Sequence, residues 1–215
     1  RRLPGRAGDQ RSLPVLHALL QDPASTALFI YPQKALANDQ WLKLNEFVAR
    51  LPLLSAKLKT CPHLISRYDG ATNGEDKRDI RNQVQVALTN PDMLHLGILQ
   101  NHENLWSRFF KNLKYVVIDE CHEYRGIFGT NVAYLLRRLR QVCAFHVSSP
   151  QFIATSATIR DPRNHVEKLT GLPFTCLGRE TDGSIQGGKK FWMVSGSEHY
   201  CDVARKMALE LVSQG

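Results

Sequence analysis

The 215-residue sequence lacks the features of disulfide-rich, zinc-binding and membrane-spanning proteins. Its 5 cysteines are an odd number and form no Cys-x-x-Cys pair, which argues against a disulfide framework and against a zinc site within the chain. No apolar run approaches the length needed to cross a bilayer. The basic amino terminus lacks the apolar core of a secretion signal. We therefore expect a cytoplasmic protein, or a nuclear one if its source is eukaryotic, with no membrane partner.

Acidic residues are scarce relative to basic ones. The 20 Asp and Glu residues are outnumbered by 28 Lys and Arg, which gives a net charge of +8 and a pI near 9.4. A basic protein fits a partner that carries phosphates. The same balance also fits a basic soluble protein with no such partner, because the positive charge is spread along the chain. The length suits one large α/β domain or two small ones.

Short apolar runs alternate with amphipathic segments along most of the chain. The runs predicted as strands are 27–31, 64–68, 84–88, 115–119, 151–155, 174–177 and 189–194. The segments predicted as helices are 38–51, 93–100 with Asp92 as its cap, 130–142, a helix that Asp161-Pro162 starts and Gly171 stops, and 197–213. This alternation predicts an α/β fold, a parallel sheet with helices on both faces.

The most informative run is Val116-Val117-Ile118-Asp119-Glu120-Cys121-His122. Its three β-branched residues predict a buried parallel strand. Side chains at the carboxyl end of such a strand face the crevice where ligands of open α/β sheets bind. Asp119 and Glu120 are therefore candidates for a nucleotide site, one placed for a metal ion and one for a water molecule. The alternative is a surface turn after a strand, where acidic residues are common.

A second run, Phe152-Ile153-Ala154-Thr155-Ser156-Ala157-Thr158, ends in small hydroxyl residues. By itself this pattern is typical of a helix cap. Together with Asp119-Glu120-Cys121-His122, it resembles motifs II and III of the superfamily 2 helicases, which are ATP-driven motors on nucleic acid.

Further segments narrow the resemblance to one group of DEAD/DEAH-box helicases. They resemble motifs Ia, Ib and Ic of that group and the sequence after motif II, and they are YPQKALANDQ at 31–40, YDG at 68–70, TNPDMLH at 89–95, EYRGIFG at 123–129 and RRLR at 137–140. The ordered set is similar to the ATP-dependent DNA helicases related to RecQ, a repair group whose members often carry a carboxy-terminal zinc-binding domain. The resemblance covers residues 12–180 and implies a RecA-like fold of the P-loop NTPase type.

The resemblance also implies a division of roles around ATP and Mg²⁺. Asp119 is expected to hold Mg²⁺ through water, and Glu120 to orient or deprotonate the attacking water, which is the general logic of phosphoryl transfer. His122 is expected to couple this site to motif III. Ser156, Ala157 and Thr158 are expected to report the nucleotide state to the DNA side.

Four positions are implied as contacts to the phosphates of single-stranded DNA. They are Lys34, Gly70, Thr89 and Asn90, which offer a cation, backbone amides and short polar side chains with little base specificity. Two positions depart from the group's pattern. Gln33 replaces a Thr or Ser, which weakens the case for a contact between this residue and the DNA strand. Cys121 replaces an alanine, and we expect it to pack rather than to act in catalysis.

A motor of this class needs a phosphate loop, G-x-x-x-x-G-K-[ST], and the chain contains no Gly-Lys-Ser or Gly-Lys-Thr. Arg11-Ser12 resembles a degenerate remnant of this loop. Gln10, however, replaces the glycine that lets the loop backbone approach the phosphate, so no site residue is assigned in 1–12. The expected organisation is a truncated or degenerate motif I region at 1–12, the first RecA-like domain at 13–180, and a linker, strand and helix at 181–215. These lead toward a second RecA-like domain, which is the expected protein partner. Because the chain shows neither an intact phosphate loop nor this second domain, we expect negligible ATP hydrolysis and no unwinding from the chain by itself.

Two other functions remain open on the sequence. One is a non-catalytic nucleic-acid-binding module that keeps the fold without the phosphate loop. The other is a metal-dependent phosphohydrolase of another class that uses Asp119, Glu120 and His122. The second is the weaker, because it leaves the motif Ia and motif III matches unexplained.

Overall fold

A five-stranded parallel sheet forms the core of the described residues, with strand order β2-β3-β1-β4-β5. The computed structural model describes residues 11–70, 74–157, 159–177 and Arg205. The strands are β1 Thr26–Ile30, β2 Ile65–Arg67, β3 Val86–Thr89, β4 Leu113–Ile118 and β5 Gln151–Ala154. The predicted α/β fold with a parallel sheet is therefore confirmed. The strands predicted at 27–31, 64–68, 84–88, 115–119 and 151–155 each overlap an observed one.

Helices cover both faces of this sheet. They are α1 Ser12–Gln21, α2 Lys34–Ala49, α3 Pro52–Thr60, α4 Gly74–Gln83, α5 Pro91–Met93, α6 Ser107–Lys111, α7 Gly126–Phe145 and α8 Pro162–Thr170. A π-helical turn, Leu94–Ile98, and a 3₁₀ turn, Leu99–Asn101, follow α5, and a second 3₁₀ turn, Cys121–Glu123, follows β4. Within the described residues, no helix is long and apolar enough to span a membrane.

The side chains of β1 and β4 alternate between two hydrophobic cores. Leu28 and Val116 pack on one face with the inner side of α7 and α8. Phe29 and Val117 pack on the other face with α1 and α2. Because both faces are covered, the central strands read as continuous apolar runs rather than as alternating ones.

Several predicted elements differ in detail from the structure. The helix predicted at 93–100 consists of α5 and the two turns after it, and Asn90 rather than Asp92 caps it by accepting a hydrogen bond from the Met93 amide at 2.9 Å. The strand predicted at 174–177 is wrong, since 173–177 contain no strand and the Phe174 amide donates to the Glu167 carboxylate at 3.1 Å. The segments 189–194 and 197–213 lie outside the residues whose structure is described.

The helix start predicted at Asp161-Pro162 is correct. The Asp161 carboxylate accepts from the Asn164 amide at 3.2 Å, and Pro162 occupies the first turn of α8. Gly171 ends the helix with φ at 69°, a conformation that glycine adopts without a steric penalty.

The carboxyl ends of four strands meet at one edge of the sheet. Single backbone hydrogen bonds carry the ladders one residue beyond the strands: Tyr31 donates to Thr89, Asp119 to Ile30, and Thr155 to Ile118, at 2.9–3.0 Å. Tyr31, Thr89, Asp119 and Thr155 therefore form a row across this carboxyl edge.

Gly129 is required for the close approach between α7 and the turn that precedes it. An alanine Cβ at this position would lie 2.6 Å from the carbonyl carbon of Tyr124, and closer still to its oxygen. This backbone carries the 3₁₀ turn at Cys121–Glu123, so it cannot move without shifting that turn.

We predict that Gly129→Ala lowers the free energy of unfolding by about 2 kcal/mol, because overpacking against backbone outweighs the higher helix propensity of alanine. Urea denaturation followed by far-UV circular dichroism measures this. The control is Asn131→Ala, an exposed position of the same helix, where we expect a change within about 0.5 kcal/mol. A stabilised Gly129→Ala variant would show that the approach is not tight.

Val147 ends α7 in a conformation that suits glycine. Its φ is 56°, its side chain is 94% exposed, and it makes no packing contribution that would offset the strain. The Val147 amide donates to Ala144 and the Ser148 amide to Cys143, which is the hydrogen-bond pattern of a Schellman cap.

We predict that Val147→Gly raises the free energy of unfolding by about 0.5–1 kcal/mol, because relief of left-handed strain exceeds the extra entropy of glycine in the unfolded chain. Val147→Ala keeps a Cβ and should recover less than half of that gain. The melting temperatures of the two variants compare them directly. If Val147→Ala and Val147→Gly raised the stability equally, the gain would come from removing the exposed valine methyl groups and not from relief of backbone strain.

Candidate nucleotide and nucleic-acid site

The carboxylate of Asp119 lies at the centre of the carboxyl edge and is 2% exposed. Its Oδ1 accepts hydrogen bonds from the Thr155 hydroxyl and from the Arg11 guanidinium. Asp119 reaches this position because β4 ends at Ile118, in the middle of the sheet between β1 and β5. The Asp119 and Thr155 oxygens face one guanidinium nitrogen of Arg11, and the Gln40 oxygen faces the other. Mg²⁺ takes oxygen ligands and is commonly held by one or two carboxylates together with substrate phosphates. The residues present therefore fit the expected metal.

Arg11 is a site residue to which the sequence assigned no role. It is 8% exposed and forms an ion pair with Asp119. The same guanidinium donates to the Thr155 hydroxyl at 3.3 Å and to the Gln40 side-chain oxygen at 2.8 Å. It also lies 5.7 Å from the ring centroid of Tyr31, whose phenol pKa is raised by burial. The phenol therefore stays neutral beside the ion pair.

Glu120 has a different environment from its neighbour. Its backbone adopts φ 48° and ψ 44°, the left-handed region that glutamate rarely occupies, and its side chain is 38% exposed. Strain of this kind is found most often where function requires a particular side-chain direction. The adjacent carboxylates thus point to different surroundings, one buried and one open to water. One buried and one open carboxylate are compatible with the expected division between metal binding and orientation of a water molecule.

His122 connects the turn after β4 to the segment after β5. Its Nδ1 lies 3.2 Å from the Ala157 amide nitrogen, and its Nε2 lies 3.3 Å from Glu123 Oε1. The Nδ1 atom is also 3.2 Å from Glu120 Oε2. This imidazole therefore contacts the open carboxylate of the site and the backbone of the second run at once.

The remaining residues of the two runs have separate positions. Ser156 is exposed and its hydroxyl donates to the Ala157 carbonyl at 2.7 Å, whereas Thr158 lies outside the described residues. Cys121 is buried, its amide donates to the Thr155 carbonyl at 2.9 Å, and burial raises the pKa of its thiol. A buried neutral thiol fits the packing role expected for it.

Two of the four expected DNA-contacting residues lie side by side. The Nζ of Lys34 would be 3.6 Å from a Cβ at Gly70, and both residues are exposed. The other two are held inside the protein: the Thr89 hydroxyl donates to the Tyr68 carbonyl at 2.9 Å, and the Asn90 side chain caps α5. The structure thus brings a cation and an open glycine backbone together at the edge that also carries Asp119.

Comparison with known proteins places the chain among helicases. The sequence pattern of the DEAD/DEAH box helicase family matches residues 11–166. The chain is 42% identical over 180 residues to the uncharacterized ATP-dependent helicase YprA of Bacillus subtilis, covering 84% of this chain and 23% of that protein. It is 41% identical over 182 residues to the ATP-dependent helicase hrq1 of Schizosaccharomyces pombe, covering 84% of this chain and 16% of that protein.

A solved helicase structure is also similar to this chain. The crystal structure of the DUF1998 helicase MrfA bound to DNA and AMPPNP is 44% identical, superimposes with a TM-score of 0.67, and covers 75% of this chain and 22% of that one. The chain spans less than a quarter of the length of these relatives. Its parallel sheet with helices on both faces is a RecA-like fold, as the sequence predicted. The chain belongs to the DEAD/DEAH box helicase family.

Proposed function

We propose that this chain is the first motor domain of an ATP-dependent DNA helicase that acts in DNA repair. The observation that carries the proposal is the shared carboxyl edge, where Asp119 and Glu120 lie on the same side of the sheet as Lys34 and Gly70. Relatives of the chain are named ATP-dependent helicases, and MrfA has been crystallised with DNA and AMPPNP, which supports the assignment.

ATP hydrolysis would depend on the two adjacent carboxylates. Asp119 would hold Mg²⁺ through water, and Mg²⁺, when bound, neutralises charge on the phosphates that separate during hydrolysis. Glu120 would orient the attacking water and accept its proton, a role that its half-exposed carboxylate allows. The buried position of Asp119 strengthens its attraction for a cation, because little water competes for its oxygens.

His122 would carry the nucleotide state to the segment Ser156, Ala157 and Thr158. Its Nδ1 contacts both the Glu120 carboxylate and the Ala157 amide, so a shift of Glu120 against a bound phosphate would alter the Ala157 contact. Coupling of this kind needs a contiguous physical contact between two sites, and the imidazole supplies one.

The DNA strand would lie across the carboxyl ends of β1, β2 and β3. Lys34 would neutralise one phosphate, and the open backbone at Gly70 would let a second one approach. Thr89 and Asn90 would hold the shape of the loop after β3 through their internal hydrogen bonds. A second RecA-like domain would close over ATP and complete the motor. The same polypeptide would also carry a zinc-binding domain.

We predict that Lys34→Ala weakens binding of single-stranded DNA equally for unrelated sequences. The slope of log affinity against log salt should flatten by roughly one unit, because one phosphate contact is lost. Fluorescence anisotropy with two unrelated oligonucleotides at several salt concentrations measures both effects, on protein whose circular dichroism shows it to be folded.

The matched control is Lys59→Ala, which removes the same charge from the last turn of α3. That turn lies near the amino ends of the strands, since the neighbouring Lys57 contacts the Pro23 carbonyl before β1. Affinity should fall much less for Lys59→Ala than for Lys34→Ala. Equal losses of DNA affinity for the two variants would mean that only net charge matters. That result would remove the support for DNA binding at the carboxyl edge.

A further inference from the structure

The buried cation Arg11 stands against the one carboxylate oxygen that is also the best candidate for metal binding. Arg11 and Asp119 are 8% and 2% exposed, so the pair is shielded from solvent. Three further groups hold the guanidinium: the Thr155 hydroxyl, the Gln40 side-chain oxygen and the face of Tyr31. Thr155 directly follows β5, Gln40 lies in α2 and Tyr31 directly follows β1, so the position of Arg11 is fixed from several sides.

We infer that Arg11 is an internal stand-in for the divalent cation, and that a metal ion binds Asp119 only by displacing it. The inference rests on the proposed role of Asp119 in metal binding. It adds a step to the cycle: the metal-free protein is held in a neutral, paired form, and metal binding begins with the release of an arginine.

Charge balance is the reason for an exchange rather than joint binding. An isolated buried carboxylate is strongly unfavourable, so some cation must accompany Asp119 in the metal-free protein. Once Arg11 provides that charge, adding a dication beside the same carboxylate would place three positive charges against one negative charge in a poorly screened site. Repulsion between the guanidinium and the metal then favours the departure of Arg11.

The geometry supports an orderly exchange. One guanidinium nitrogen contacts Asp119 and Thr155, while the other contacts Gln40. Release from Asp119 therefore leaves the Gln40 contact available to retain the side chain near the site. Thr155 also keeps its own hydrogen bond to Asp119, so the carboxylate stays oriented as the cation changes.

The first arm of the test is a double-mutant cycle of Arg11→Gln and Asp119→Asn, measured by urea unfolding with a chelator present. With Asp119 intact, Arg11→Gln should raise the unfolding equilibrium constant roughly a hundredfold or more, because it leaves a buried charge unpaired. In the Asp119→Asn background the same change should have less than a tenth of that effect. The control Arg125→Gln removes an exposed arginine of the same region and should change the constant less than about threefold.

The second arm measures stabilisation by Mg²⁺ alone, without nucleotide or DNA. The rise in melting temperature with Mg²⁺ should be larger for Arg11→Gln than for the unaltered chain, since the metal no longer competes with a guanidinium. Asp119→Asn should abolish the rise, and Arg125→Gln should match the unaltered chain. Arg11→Lys keeps the charge but has fewer donors to share between Asp119 and Gln40, so its rise should be intermediate.

Equal or weaker stabilisation of Arg11→Gln by Mg²⁺ would overturn the inference and make Arg11 a structural ion pair only. If Arg11→Gln does not fold, the comparison between Arg11→Lys and the unaltered chain decides, and an equal response to Mg²⁺ again overturns it. Neither arm uses ATP or DNA. Loss of the exchange would therefore leave the strand-binding result for Lys34 unaffected, and failure of strand binding would leave the exchange unaffected.

Discussion

The structure depends on the placement of a buried carboxylate at the end of its central strand. Asp119 follows β4, which lies between β1 and β5 and is covered by helices on both faces. A charge in that position requires a compensating cation and oriented hydrogen bonds, and Arg11 and Thr155 provide them. The same requirement favours a cation at this position: Arg11 balances the Asp119 charge in the fold, and the proposed metal ion would replace Arg11 there.

Parallel strand pairing explains why distant sequence segments share one site. The register pairs Ile30 with Thr89 and with Ile118, and Ile118 with Ala154. The residue that follows each strand therefore appears on the same edge, although the segments are separated by tens of residues along the chain. His122 adds a direct contact between two of these segments through the Ala157 amide. A change at one carboxylate thus has a short physical route to its neighbours.

Much of the sheet and of the carboxyl edge was predictable from sequence, because buried parallel strands are apolar throughout and their ends carry the polar residues. Asn90 was also within reach as a cap, since Pro91 marks the first helical position and the residue before it is the usual cap. Thr155 was accessible by extending the strand register one residue beyond Ala154. Arg11 stood out in the sequence only through the likeness of Arg11-Ser12 to the end of a phosphate loop. Its contact with Asp119 was not predictable, because it joins residues 108 positions apart and no local pattern encodes it.

The most direct test of the central claim is paramagnetic relaxation by Mn²⁺, measured on the backbone amide signals of the protein. We expect strong line broadening at the carboxyl edge, on the amides of Tyr31, Asp119 and Thr155. Little broadening is expected at Ser148, which precedes β5 at the opposite edge. Asp119→Asn should remove the broadening at the carboxyl edge. Broadening centred elsewhere, or unchanged by Asp119→Asn, would contradict the assignment of Asp119 as the metal-binding residue.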